Sequence, residues 1–180
     1  FAGGGVKSGG PVLIFWPALV DSKHINEVVH FNGKSKELKP TSQLNFEEIY
    51  YQTEPVKIPD APKGETSHVP LGTLFGARSG DKGGCANLGV WAKDLDAFAF
   101  LSSFLTIEKL KELMPDLKEF KIDRFDLPNI LSLNFYIHDI LEDGVSSNSR
   151  KDAQAKSLGE YLRAKKANIP SSLLEALNES

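Results

Sequence analysis

The sequence predicts an α+β fold: a four-stranded antiparallel sheet with helices on one face, preceded by a small β-rich segment. Three observations carry this. Small or apolar residues recur at every second position in 71–77, 86–92 and 131–137, and Phe120, Ile122 and Arg124 alternate with Lys121 and Asp123, the period of half-buried strands. Near-helical spacing follows each pair of runs. Composition, 41% hydrophobic and 25% charged over 180 residues, is that of a chain that buries an ordinary core.

The elements follow in chain order. Residues Phe1 to Gly10 hold five glycines and predict an opening loop. Val12 to Trp16 and Ile25 to Phe31 predict strands, with Asn32-Gly33 a hairpin turn before Lys34 to Leu38. Residues 1–52 are thus a β-rich segment, taken as the end of a larger domain preceding Phe1. Pro55, Pro59, Pro62 and Pro70 lie among small polar residues, so 53–68 is assigned as a semi-extended linker. Residues 69–180 form the α/β domain.

In that domain Leu71 to Ala77 and Ala86 to Ala92 predict a hairpin. Asp94 is a helix N-cap ahead of Leu95, Phe98, Leu101 and Leu105. Thr106 restarts a helix through Ile107, Leu110 and Met114, and Pro115 stops it. Phe98, Phe100 and Phe104 are expected in the core. Two strands follow at 120–124 and 131–137, then a polar loop. Asp152 is predicted to cap a helix burying Ala155, Leu158 and Leu162, and Ser171 a last helix with Leu174 and Leu177. The order strand, strand, helix, strand, strand, helix gives a sandwich resembling the ferredoxin-like fold.

Several function classes are disfavoured. A net charge of −3 with interspersed signs offers no general attraction for nucleic acid or anionic lipid. The longest apolar run, Pro11 to Val20, is shorter than a membrane span and contains Pro17. Cys85 is the one cysteine, so no disulfide forms within the chain, and a cytoplasmic setting is expected. His24, His30 and His68 lack metal-like spacing. No dinucleotide fingerprint occurs, and Gly76 to Lys82 fails the Walker pattern at Asp81 and Gly83. No metal or cofactor is expected.

The candidate site is the turn Arg78-Ser79-Gly80-Asp81-Lys82-Gly83-Gly84. Six residues from Ser79 to Gly84, three of them glycine, exceed what a two-stranded hairpin needs. Glycines let backbone N–H groups converge, and Arg78 and Lys82 add charged donors, so the turn suits a carboxylate or phosphate. The plainer alternative pairs Asp81 with Arg78 or Lys82 and leaves the glycines to close the turn. Asn134 and His138, four apart on one strand, share a face and with Asn87 form a hydrogen-bonding wall. Asp94 with Asp96, and Asp123 with Asp126, are taken as caps or solvated faces.

The string Ala77-Arg78-Ser79-Gly80-Asp81-Lys82-Gly83-Gly84-Cys85-Ala86-Asn87-Leu88-Gly89-Val90 resembles the C-terminal domain of the acyclic terpene utilisation (AtuA-like) family. So do Leu127-Pro128-Asn129, Leu133-Asn134-Phe135 with His138, Gly144-Val145, Ser149-Arg150 and Asp152 to Lys156, over about Val69 to Arg163. Pro17-Ala18-Leu19-Val20 is similar to the end of the family's larger preceding domain. The resemblance implies a small α/β closing domain of proteins linked with acyclic terpenoid degradation through acyl-CoA intermediates. The family commonly has Thr at the position of Cys85, which argues against a covalent role for the thiol, and Asp or Asn at that of Gly84. Two readings stay open. In one, the turn binds an anionic acyl substrate, a CoA thioester or carboxylate. In the other, a noncatalytic module has its open sheet face covered by a second copy or by the preceding domain. No reaction is assigned.

Overall fold

A computed structural model describes residues 18–38 and 54–178. The strand expected at Val12 to Trp16 and the opening glycine loop lie outside the described residues. The chain divides into two compact units between Pro55 and Val56.

In the smaller unit, β1 (Glu27–Phe31) pairs antiparallel with β2 (Lys34–Leu38). Asn32 at φ 49° and Gly33 at φ 71° make the left-handed turn whose twist matches a two-residue hairpin. His30 Nδ1 and Ser35 Oγ, on facing strand positions, share a 2.7 Å hydrogen bond.

The larger unit runs β3 (Thr66–Pro70), β4 (Gly76–Lys82), β5 (Cys85–Trp91), α1 (Leu95–Phe104), α2 (Ile107–Leu113), β6 (Ile122–Leu127), β7 (Ser132–Ile137), α3 (Leu158–Arg163), β8 (Lys166–Pro170) and α4 (Ser171–Asn178). The main sheet has the order β4-β5-β7-β6 with every neighbour antiparallel, the predicted α+β architecture. Ala86, Leu88 and Val90 of β5 and Leu133, Phe135 and Ile137 of β7 form one buried cluster with Phe98, Leu101 and Leu105. Two of the expected helix caps are formed: Asp94 accepts from Ala97 N at 2.8 Å and Thr106 from Lys109 N at 3.1 Å. Arg124 ties β6 beneath α1, donating to Ser102 O at 2.8 Å and to Asp126 at 2.6 Å.

Three elements differ from expectation. Thr66–Pro70, read as the end of the linker and the first residues of the α/β domain, is a strand paired antiparallel with Lys166–Pro170 in a separate two-stranded sheet. Pro70 stands at its end, where a missing N–H costs least. Leu71 begins a short 3-10 turn rather than a strand, so β4 starts at Gly76. Asp152 does not start a helix. Its carboxylate accepts from Lys156 N at 3.0 Å, Ser157 N at 2.9 Å and Ser157 Oγ at 2.6 Å, holding a turn through Ala155 at φ 52°. Side-chain bonds of this kind compete with a helix, and α3 begins only at Leu158.

Candidate functional site: the open face of the sheet

Strand pairing orders the polar residues. In β4 and β5, Lys82 faces Cys85, Gly80 faces Asn87, Arg78 faces Gly89 and Gly76 faces Trp91. Asn87 faces Tyr136, which faces Asp123; Gly89 faces Asn134, which faces Phe125; Trp91 faces Ser132, which faces Leu127. Since side chains alternate, all these residues share the face opposite the helices. His138 continues the alternation of β7, its N–H donating to Lys121 O at 3.0 Å.

At one end of this face the groups interlock. His138 Nε2 lies 2.6 Å from Asp123 Oδ2. That hydrogen bond holds the Asp123 carboxyl below its ordinary range, with Lys121 adding a smaller attraction. Tyr136 packs edge-on against the His138 ring, centroids 4.9 Å apart. A hydrogen bond with Cys85 pushes the Tyr136 phenol above its usual value. Asp139 N donates to Cys85 Sγ at 3.5 Å, and Asn87 Nδ2 to Asn134 Oδ1 at 3.3 Å. At the other end Trp91 and Leu127 are exposed, with Phe125 exposed one row nearer the middle, and the Trp91 indole lies over Gly76, where a Cβ would collide with it.

The predicted turn is shorter than the sequence suggested. Ser79, Gly80, Asp81 and Lys82 are strand residues in register with Leu88, Asn87, Ala86 and Cys85, which leaves Gly83 and Gly84 alone to turn the chain. Glycine is needed there for two reasons. Gly83 has φ 64°, and a Cβ on Gly84 would strike the Glu142 carbonyl of the loop that also bonds Gly84 O through Leu141 N at 2.8 Å.

Alternation also splits the proposed site residues. Arg78, Gly80 and Lys82 lie on the open face with Asn87, Asn134 and His138. Ser79 and Asp81 point the other way. Ser79 is 9% exposed, and its Oγ accepts from Gly159 N at 3.0 Å in the first turn of α3. Gly159 packs directly on the β4 backbone at Ala77 and Arg78. The alternative pairing of Asp81 with Arg78 or Lys82 is absent among the described contacts; Lys82 Nζ instead donates to the Asp81 carbonyl at 3.0 Å.

A family model, the AtuA ferredoxin-like domain, matches residues 69–168. The chain belongs to this family. No match was found among curated proteins or among solved structures. In this AtuA ferredoxin-like domain the matched residues span all four main-sheet strands, and with them the whole open face. Among the described residues, no helix of the AtuA domain or the preceding hairpin unit is long and apolar enough to cross a membrane. No group of three or more His, Cys, Asp or Glu residues there is arranged to hold a metal ion.

Sequence reasoning missed Asp123 and Tyr136. The signal for both was the β6–β7 hairpin: once Ile122 is set against Ile137, Asp123 falls beside Tyr136 and within reach of His138.

Proposed function

We propose that the open sheet face binds an anionic acyl molecule, a carboxylate or CoA thioester of the kind met in acyclic terpenoid degradation. One observation carries the reading: polar and apolar groups are segregated along the strands. Lys82, His138 and Lys121 mark one end, Asn87, Asn134 and Arg78 the middle with Phe125 at its β6 edge, and Trp91 and Leu127 the other end. Side chains on one face repeat about every 7 Å along a strand, so four rows extend over about 20 Å. That length suits an anionic head with an extended apolar tail. Arg78 and Lys82 supply charge, Asn87 and Asn134 supply donors and acceptors, and the Tyr136 hydroxyl donates a hydrogen bond. The Asp123–His138 pair orients the imidazole. A free Cys85 suits a reducing compartment such as the cytoplasm.

The test replaces Arg78 and Lys82 together by Ala and titrates the intact protein with a medium-chain acyl-CoA. Both side chains are exposed, so stability should move by no more than about 0.5 kcal/mol. Affinity should fall at least about tenfold, equivalent to about 1.4 kcal/mol. Unchanged affinity sinks the proposal.

A second reading, in which a second copy covers this face, is favoured by its exposed apolar side chains. The cavities at 145–156 and at 57–59 with 94–96 are lined by residues off the face, while Trp91, Phe125, Leu127 and Ile130 are exposed. Concentration-dependent sedimentation, with loss of acyl-CoA binding on dimerisation, distinguishes the two.

A further inference from the structure

We propose a separate ligand site in the loop between β7 and α3, for a small molecule that carries a carboxylate or phosphate on an apolar body. The loop borders a half-open cavity of about 390 Å³ lined by Val145, Ser146, Lys151, Asp152, Ala153, Gln154 and Lys156. Cavities that hold small ligands begin at about 300 Å³.

The walls are fixed by the loop's own side chains. Asn148 Nδ2 donates to Gly144 O at 2.8 Å and to Ala153 O at 3.2 Å, while its Oδ1 accepts from Arg150 N at 3.0 Å. On the far side Asp152 grips Lys156 N, Ser157 N and Ser157 Oγ. Such cross-links pre-form the cavity, so a ligand does not have to order it.

Charge then selects the ligand. Residues 145–156 carry Arg150, Lys151 and Lys156 against Asp152 alone, three positive charges minus one negative, or +2. The Asp152 carboxylate is committed to three hydrogen bonds, and neither lysine ammonium forms an ion pair or hydrogen bond among the described contacts. Two uncommitted ammonium groups at a cavity lined in part by Val145 and Ala153 match an anion with an apolar body. The cavity and both lysines lie outside the sheet strands.

The test is a calorimetric titration of the intact chain with hexyl phosphate, hexanoate and hexanol. Saturable binding of hexyl phosphate or hexanoate at millimolar concentration or below is expected, with hexanol at least about tenfold weaker. Replacing Lys151 and Lys156 together by Gln should weaken the organic anion about tenfold without moving the unfolding midpoint, since both side chains are exposed. The Arg78/Lys82 double variant should bind at this loop as the parent does, which separates the two sites. Equal binding of hexanol, parent-like affinity in the Lys151/Lys156 variant, or no saturable binding of either anion overturns the proposal.

Discussion

Replacing Ser79 with Ala removes the Oγ that accepts from Gly159 N at 3.0 Å, and with it the tie between β4 and the first turn of α3. The Gly159 N–H is among the first four of its helix and has no partner within it. Gly159 is buried against Ala77 and Arg78, so water does not readily replace the lost acceptor. Leaving such a donor unpaired costs about 1–3 kcal/mol, and loss of a helix cap alone falls in the same span. For a unit of this size the drop corresponds to about 4–12 °C in Tm. The assay is urea and thermal unfolding of Ser79→Ala beside the parent, with the acyl-CoA titration run on both. A lower urea midpoint at unchanged slope, with ligand affinity retained, is the expected outcome. Unchanged stability with weakened binding would refute the argument and return Ser79 to the binding surface.

Three further outcomes are expected. Gly84→Ala should destabilise by about 1–3 kcal/mol in urea unfolding, because its new Cβ meets the Glu142 carbonyl, a backbone atom with little room to move. In His138→Phe, NMR titration of the Asp123 carboxyl should show its midpoint climbing toward the ordinary value. The depressed native value stabilises the fold above about pH 4 and is lost as pH falls through it, so parent and variant should converge in strong acid. A chain beginning at Val69 loses Thr66 to His68 of β3 and the Glu65 carbonyl that accepts from Ser171 N at 2.8 Å. It should unfold at lower urea than one beginning at Val56, and equal midpoints would mean that the β3–β8 ribbon contributes nothing.

The main sheet was legible because Ala86, Leu88 and Val90, and Leu133, Phe135 and Ile137, alternate cleanly, and because Asp94 and Thr106 are caps with an apolar helix behind them. The β3–β8 ribbon was not. Its prolines resemble a linker, and Lys166 to Pro170 buries Ala167, Ile169 and Pro170 in a run too short and too interrupted by Lys166 and Asn168 to show as a strand. Pairing across about a hundred residues leaves no local trace. Of the proposed site residues, Arg78, Lys82, Asn87, Asn134 and His138 do share a surface. Ser79 and Asp81 were grouped with them because a glycine-rich string looks like a loop, whereas a strand sends alternate residues to opposite sides. The partnership of Asp123 with His138 needed the hairpin register, which two isolated runs do not fix.

The same ribbon sets an order of folding. Hairpin β4–β5 closes over two residues, but His68 and Asn168, hydrogen-bonded at 3.0 Å, are 100 residues apart. Joining ends at that separation costs about 2 kcal/mol more chain entropy than closing a loop of about ten residues, and the ribbon's few bonds must offset it. It therefore closes after the main sheet has shortened the path between its strands. In native-state hydrogen exchange the amides of Ser67 and Ile169 should open at lower free energy than those of Leu88 and Phe135.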